Sequence, residues 1–157
     1  MHPQALKVQN ALIAAGSASQ VVELPDSTRT AVEAAAACGC EVGQIVKSLI
    51  FRGKTSNKGI LVLTSGLNRV DEAKIGQYAG EAIGRADADF VRSVTGFAIG
   101  GVPPVGHAQP IETYMDEDLM HYPTVWAAAG TPNAVFELLP SDLAKITQGK
   151  VVHVKQE

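Results

Sequence analysis

The first residue in this chain with a chemistry to offer is Lys47. It sits in Gln44-Ile45-Val46-Lys47-Ser48-Leu49-Ile50-Phe51, a run rich in β-branched and large apolar residues that reads as a strand. Alternation of period two puts Ile45, Lys47, Leu49 and Phe51 on one face. A lysine among those neighbours either snorkels out at a sheet edge or is kept for its charge. If it is partly buried, its pKa falls, because desolvation disfavours the ammonium. The second feature is Phe97-Ala98-Ile99-Gly100-Gly101-Val102-Pro103-Pro104-Val105-Gly106-His107, with three glycines, two prolines and no charge before His107. Glycine permits left-handed and close-approach backbone, whereas proline locks φ and removes a donor. Together they predict an apolar loop whose N–H and C=O groups are held at set positions. Two readings are open: a turn that packs into the core, or a rigid backbone wall of a site.

Other chemistries find little support. The histidines are His2, His107, His121 and His153. None has a further His, Cys or carboxylate at helical metal-ligand spacing, so no metal site is expected. Only His107, next to the Gly/Pro loop, stands where a ligand could touch it. Cys38 and Cys40 flank Gly39; a disulfide across one residue is strained, and both read as free structural thiols. Gly53-Lys54-Thr55 imitates the end of a P-loop, but Ser48 occupies the position of the leading glycine and no helix follows. There is no Gly-x-Ser-x-Gly elbow and no carboxylate pair placed for acid–base work. Ser48 and Ser65 are nucleophiles only in the generic sense. An enzyme built here would depend on one lysine, backbone dipoles and the substrate's own groups.

The elements that must position these groups follow from periodicity and caps. Residues 4–15 carry Leu6, Val8, Leu12 and Ile13 among polar residues and alanines, which reads as an amphipathic helix that Gly16 closes. Val21 to Leu24 is a short strand stopped by Pro25. Thr30-Ala31-Val32-Glu33 is a capping box that opens an alanine-rich helix to Cys38, with Gly39 as its stop. The lysine strand is joined through the polar turn 52–58 to a second strand, Gly59 to Thr64, in a hairpin. Asp71 caps a helix to about Tyr78, and a short helix runs from Asp87 to Val94. After the Gly/Pro loop come strands at 111–115, 123–129 and 134–138, the last two paired across Gly130-Thr131-Pro132-Asn133. Ser141-Asp142 begins a helix carrying Leu143 and Ile146, and 151–154 is a final strand. The elements do not alternate as a doubly wound fold requires. The expected fold is therefore a single α/β domain over residues 1–157, with a mixed, mainly antiparallel, barrel-like sheet and flanking helices.

Bulk properties narrow the partners. The 157 residues are enough for a core without disulfides or metal. No apolar run reaches eighteen residues, and the N-terminus lacks a signal-peptide pattern, so a cytoplasmic location is expected. The net charge of −3 argues against broad coating of nucleic acid. Yet residues 47–92 hold eight bases and five acids, while the remainder holds five bases and eleven acids. A positive middle on an acidic chain fits contact with a few phosphates, and it fits ordinary solvated faces equally well.

In order along the chain, several stretches resemble one family. Gly43 to Phe51 is similar to the lysine strand of the YbaK/EbsC and prolyl-tRNA-synthetase-associated editing domains. Gly100-Gly101-Val102-Pro103-Pro104 is similar to their Gly-x-x-x-Pro loop. Ser65-Gly66-Leu67-Asn68-Arg69-Val70-Asp71 matches the turn before the family's central helix. The Ala128-to-Asn133 turn and the Pro140-Ser141-Asp142-Leu143 helix start also fall where the family has counterparts.

The resemblance covers residues 20 to 155 and implies hydrolysis of the ester in mischarged aminoacyl-tRNA, in trans and without a cofactor. It implies catalytic roles for Lys47 and Gly100. Lys47 would hold a terminal phosphate or ribose oxygen, or stabilise the oxyanion; Gly100 to Pro104 would offer a carbonyl to the α-ammonium and N–H groups to the ester. Ile45, Leu49, Gly101, Val102, Pro104, Gly106, His107, Gly130 and Thr131 would contact the substrate. The implied partners are the aminoacylated 3′ end of tRNA and an aminoacyl-tRNA synthetase, with neither membrane nor DNA. The rival reading is a non-catalytic module that binds an aminoacyl-adenosine or related small ligand in the same pocket.

Overall fold

A computed structural model describes residues 1–157. At its centre is the β2–β3 hairpin, Ile45–Gly53 and Gly59–Ser65, paired antiparallel from Val46↔Ser65 to Arg52↔Gly59. Ile60, Leu61, Val62 and Leu63 are all fully buried, as a continuous apolar run in a strand covered on both faces should be. The opposite faces of β3 feed separate cores. Leu61 and Leu63 join a cluster of 20 buried residues, and Ile60 and Val62 join one of seven.

Strand order across the sheet is β1-β7-β6-β2-β3-β5-β8. The outer strands are β1 (Val22–Glu23), β5 (Glu112–Asp116), β6 (Val125–Ala128), β7 (Ala134–Leu138) and β8 (Lys150–Val152). β4 (Ile83–Arg85) pairs with β2 off this path, making eight strands in all. The β1–β7, β2–β3, β2–β4 and β6–β7 pairings are antiparallel, while β2–β6, β3–β5 and β5–β8 are parallel. The mixed sheet with flanking helices is thus the architecture expected from sequence.

Helix α1 (Pro3–Ala14) buries Ala5, Val8 and Leu12 in the large cluster. At about 1.5–3 kcal/mol for each large side chain, that burial outweighs the helix's weak capping. α2 (Ala31–Cys38) has the expected capping box between Thr30 and Glu33 and ends at Gly39 in the left-handed region, φ 70°. Asp71 caps α3 (Glu72–Ala79) and Asp87 caps α4 (Ala88–Thr95). In α5 (Pro140–Thr147) the cap differs from expectation. Leu139 is the N-cap with no side-chain bond, and Pro140 starts the helix, since its missing N–H would be unbonded there anyway. No helix is long and apolar enough to cross a membrane.

Candidate functional site

β2 has different partners at its two ends. Along one edge β3 covers it almost completely. Along the other, β6 pairs only with Ile45 and Val46, and β4 only with Phe51 to Gly53. Residues 47–50 therefore lie on an open edge, and a cavity of about 540 Å³ fills the gap. Its walls are β2 from Ile45 to Ile50, the Thr28–Ala31 segment with Ala34 of α2, Ile99 to Val102 of the Gly/Pro loop, and Trp126 to Ala128 of β6. Thirteen of the 21 lining residues are hydrophobic, and neither a carboxylate nor a histidine is among them. Such a size and lining suit a small organic ligand.

Alternation along β2 runs as expected. Ile45 packs on Ala34 and Ala35 of α2; Leu49 and Phe51 pack on the small cluster; Val46 and Ile50 pack on the large one. Lys47 thus leaves the sheet on the opposite face from Val46. It lines the same cavity as Gly100, Gly101 and Val102.

The Lys47 ammonium donates to the Asn68 carbonyl at 2.6 Å. Burial pushes its pKa down, the Arg69 charge adds to that, and Asp116 opposes it. The turn bearing Asn68 is strongly held. The Asn68 side chain donates to Asp116 and Asp118, each at 2.8 Å. Asp116, 1% exposed, also accepts from the Ser65 N–H at 3.0 Å, and the Ser65 hydroxyl donates to the Gly43 carbonyl at 2.8 Å. A Cβ on Gly66 would meet the Val42 carbonyl oxygen at 2.3 Å, so this turn closes on β2 only with glycine there.

The Gly/Pro loop is fixed from behind. Gly100 has φ 103°, in the region that favours glycine. The Gly101 carbonyl accepts from the Gly130 N–H at 2.9 Å. A Cβ on Gly101 would lie 2.9 Å from the backbone C and N of Thr131. The Gly100 carbonyl, by contrast, takes part in no hydrogen bond.

Six of the eleven residues expected at the site line the cavity: Ile45, Lys47, Leu49, Gly100, Gly101 and Val102. The other five do not. Gly130 and Thr131 buttress Gly101 from the far side. Pro104 is buried behind the loop, and Gly106 packs on Ala11 of α1. His107 Nε2 donates to the Pro103 carbonyl at 2.7 Å, and burial with nearby Lys7 pushes its pKa down. These five support the wall rather than form it, because the loop turns into the large core after Val102. Sequence reasoning missed Arg29, the start of α2, Trp126 and the open edge at Ser48 and Ile50. The only local signal for them was the capping box at Thr30, which marked a helix start without saying what it faced.

A family model described as "Aminoacyl-tRNA editing domain" matches residues 25–146. A crystal structure of a candidate trans-editing enzyme for prolyl tRNA synthetase is 51% identical, covers 100% of this chain and 99% of its own, and superposes with a TM-score of 0.94. The uncharacterized protein YwhH of Bacillus subtilis is 35% identical over 133 residues, 85% of this chain and 84% of YwhH. EbsC of Enterococcus faecalis, a candidate Cys-tRNA(Pro)/Cys-tRNA(Cys) deacylase, is 25% identical over 126 residues, 80% of this chain and 76% of EbsC.

Proposed function

The chain belongs to the aminoacyl-tRNA editing domain family, and on that premise we propose that it is a trans-acting deacylase that hydrolyses the ester of a tRNA mischarged with a small amino acid. The observation that carries this reading is the union, in one largely apolar cavity, of a half-buried ammonium and a free glycine carbonyl. The two groups fit the two ends of an aminoacyl ester. The Gly100 carbonyl accepts from the α-ammonium, and the Lys47 ammonium faces the ester oxygens or the adjoining phosphate.

Water adds to the ester carbonyl, and the electron pair moves onto oxygen. The resulting oxyanion collapses and expels the ribose 3′-oxygen, which takes up the proton that the attacking water gives up, leaving free amino acid and tRNA. The cavity wall has no carboxylate or imidazole to accept the water's proton. The neighbouring ribose 2′-hydroxyl is therefore assigned to orient that water. The wall's contribution is electrostatic: a charge and dipoles fixed before reaction cost no reorganisation during it. Selection for small amino acids follows from the apolar wall of Ile45, Leu49 and Val102, where one methylene is worth about 1–3 kcal/mol. The partners in this reading are the aminoacylated tRNA 3′ end and an aminoacyl-tRNA synthetase.

The missing general base is the one observation on the side of a non-catalytic binding module. Incubation with a panel of tRNAs mischarged with alanine, serine, threonine, cysteine or 2-aminobutyrate decides between the two. Release of at least one amino acid above the spontaneous rate, lost in Lys47→Ala, is the expected result. No release from any member of the panel would leave the binding module standing instead.

A further inference from the structure

The gap in the sheet leaves specific backbone groups without partners. The Gly66 N–H donates to the Ile45 carbonyl, and the ladder alternates from there. Hence the N–H and C=O of Lys47, Leu49 and Phe51 face β3, while those of Val46, Ser48, Ile50 and Arg52 face the other edge. On that edge the β6 pairing ends at Val46↔Ala127, short of the bond the Ser48 N–H would make, and the β4 pairing begins at Phe51↔Arg85. No turn or loop group bonds to Ser48 or Ile50. The Ser48 N–H, the Ser48 C=O and the Ile50 N–H are left open where the two residues line the cavity. The Ser48 hydroxyl is also buried and unpartnered, a state it shares with only one other side-chain atom, Thr64 Oγ1. Three unpaired polar groups on one residue are unusual in a folded protein and ask for a ligand.

We propose that this open edge is the seat of the terminal adenine of the substrate, held by the Ser48 backbone. The inference rests on the aminoacyl-tRNA reading above. In a strand, the N–H and C=O of one residue emerge side by side on the same edge, which is how paired residues exchange two hydrogen bonds. Adenine presents a matching pair: its 6-amino group is a donor, and the ring nitrogen beside it is an acceptor. The 6-amino group donates to the Ser48 carbonyl, and the ring nitrogen accepts from the Ser48 N–H, with the Ile50 N–H adjacent.

An added peptide strand does not fit this edge. Only four residues are open, about 13 Å at 3.3 Å per residue, and β6 and β4 close both ends. A flat ring needs no such run. Ile99, 62% exposed although it lines the cavity, offers an apolar surface for the ring face. Arg29, also at the cavity, is exposed and makes no ion pair, which suits the phosphate that leads into the terminal nucleoside.

The test varies the ligand, so no folding defect can confuse it. The ¹⁵N-labelled protein is titrated with adenosine and with purine riboside, the same nucleoside without the 6-amino group. Adenosine should shift the Ser48 and Ile50 amide signals, and purine riboside should bind roughly five- to a hundred-fold more weakly, since it leaves the carbonyl unpaired. Equal affinities, or no shift at Ser48, would overturn the proposal. In parallel, mischarged tRNA ending in adenosine is compared with tRNA ending in purine riboside. A slower reaction with the second supports the seat, and rates within twofold overturn it. If neither tRNA is hydrolysed, the deacylase reading falls and the titration alone decides whether adenine sits on Ser48.

Discussion

The most direct perturbation of the Gly/Pro loop is Gly101→Ala. The added Cβ would stand 2.9 Å from the Thr131 backbone C and N, and 3.0 Å from the Gly130 carbonyl carbon. Ordinary carbon contacts lie at about 3.5–4.0 Å, so the two segments must part by roughly 0.6–1 Å. Neither side yields cheaply, because the obstructing atoms are backbone and Thr131 is buried. The 2.9 Å bond from the Gly130 N–H to the Gly101 carbonyl lengthens with the same movement. Overpacking of this kind costs about 1–3 kcal/mol, which in a chain of this size lowers Tm by roughly 2–12 °C. The displaced segment carries Gly100, and a misplacement near 1 Å at a reacting site costs about a hundredfold in rate. The assay is kcat/KM for deacylation alongside a thermal melt. Gly16→Ala is the control: its φ of 79° also favours glycine, but nothing lies within 4 Å of the new Cβ. That variant should lose stability and keep its rate. A folded Gly101→Ala protein with lowered Tm and kcat/KM within threefold of the parent would refute the claim that this backbone acts on the substrate.

Lys47→Met should reduce deacylation by about a hundred- to a thousandfold, the scale of losing one oxyanion-stabilising group, while Tm holds or rises. The sign follows from the lowered pKa. The cost of burying the charge is constant below the folded pKa and eases as pH climbs from there towards the unfolded value, so the Met variant should lack that alkaline gain in stability. His107 has a folded pKa below 6.5 through burial. As pH falls below 6.5 the unfolded chain takes up a proton that the folded one refuses, and stability drops until the folded pKa is reached. His107→Gln should flatten this acid limb, by at most about 1.4 kcal/mol per pH unit, with the deacylation rate near neutral pH unchanged; denaturant melts at pH 7 and 5.5 measure it. Asp116→Ala leaves the buried Ser65 N–H without its acceptor, at about 1–3 kcal/mol, and leaves the Asn68 amide with Asp118 alone. Its kcat/KM should fall further than its melting curve alone accounts for, because the carbonyl that holds Lys47 is set loose.

Legibility followed the range of the interactions. Caps and periodicity are local, so Thr30, Asp71 and Asp87 marked their helices, and the apolar run at residues 60–63 marked the central strand. Alternation placed Lys47 with Ile45 and Leu49. What stayed hidden depended on pairing between distant segments. Ile83–Arg85, three residues long and without an apolar pattern, takes its strand geometry from Arg52 and its neighbours. Nothing near residue 47 reveals that β6 and β4 stop short of one another. The same blindness explains His107 and Thr131. Both lie in stretches that resemble site motifs, yet the chain direction after Val102 takes one into the core, and the other supports Gly101 from behind.

The open stretch of β2 also accounts for how Lys47 and Gly100 come to line one cavity. A strand paired along its whole length would leave no room between them. Here β6 pairs with two residues and β4 with three against a strand of nine, and the four left over border the cavity. The price is unpaired backbone at Ser48 and Ile50, which a fold selected only for stability would cover with a longer strand. An apolar cavity also strengthens the field of the one ammonium beside it. With no carboxylate or imidazole in the wall, rate in such a site comes from the placement of charge and dipole rather than from proton affinity. Displacing Gly101 or loosening Asn68 should therefore weigh more on catalysis than any change in the titration of His107.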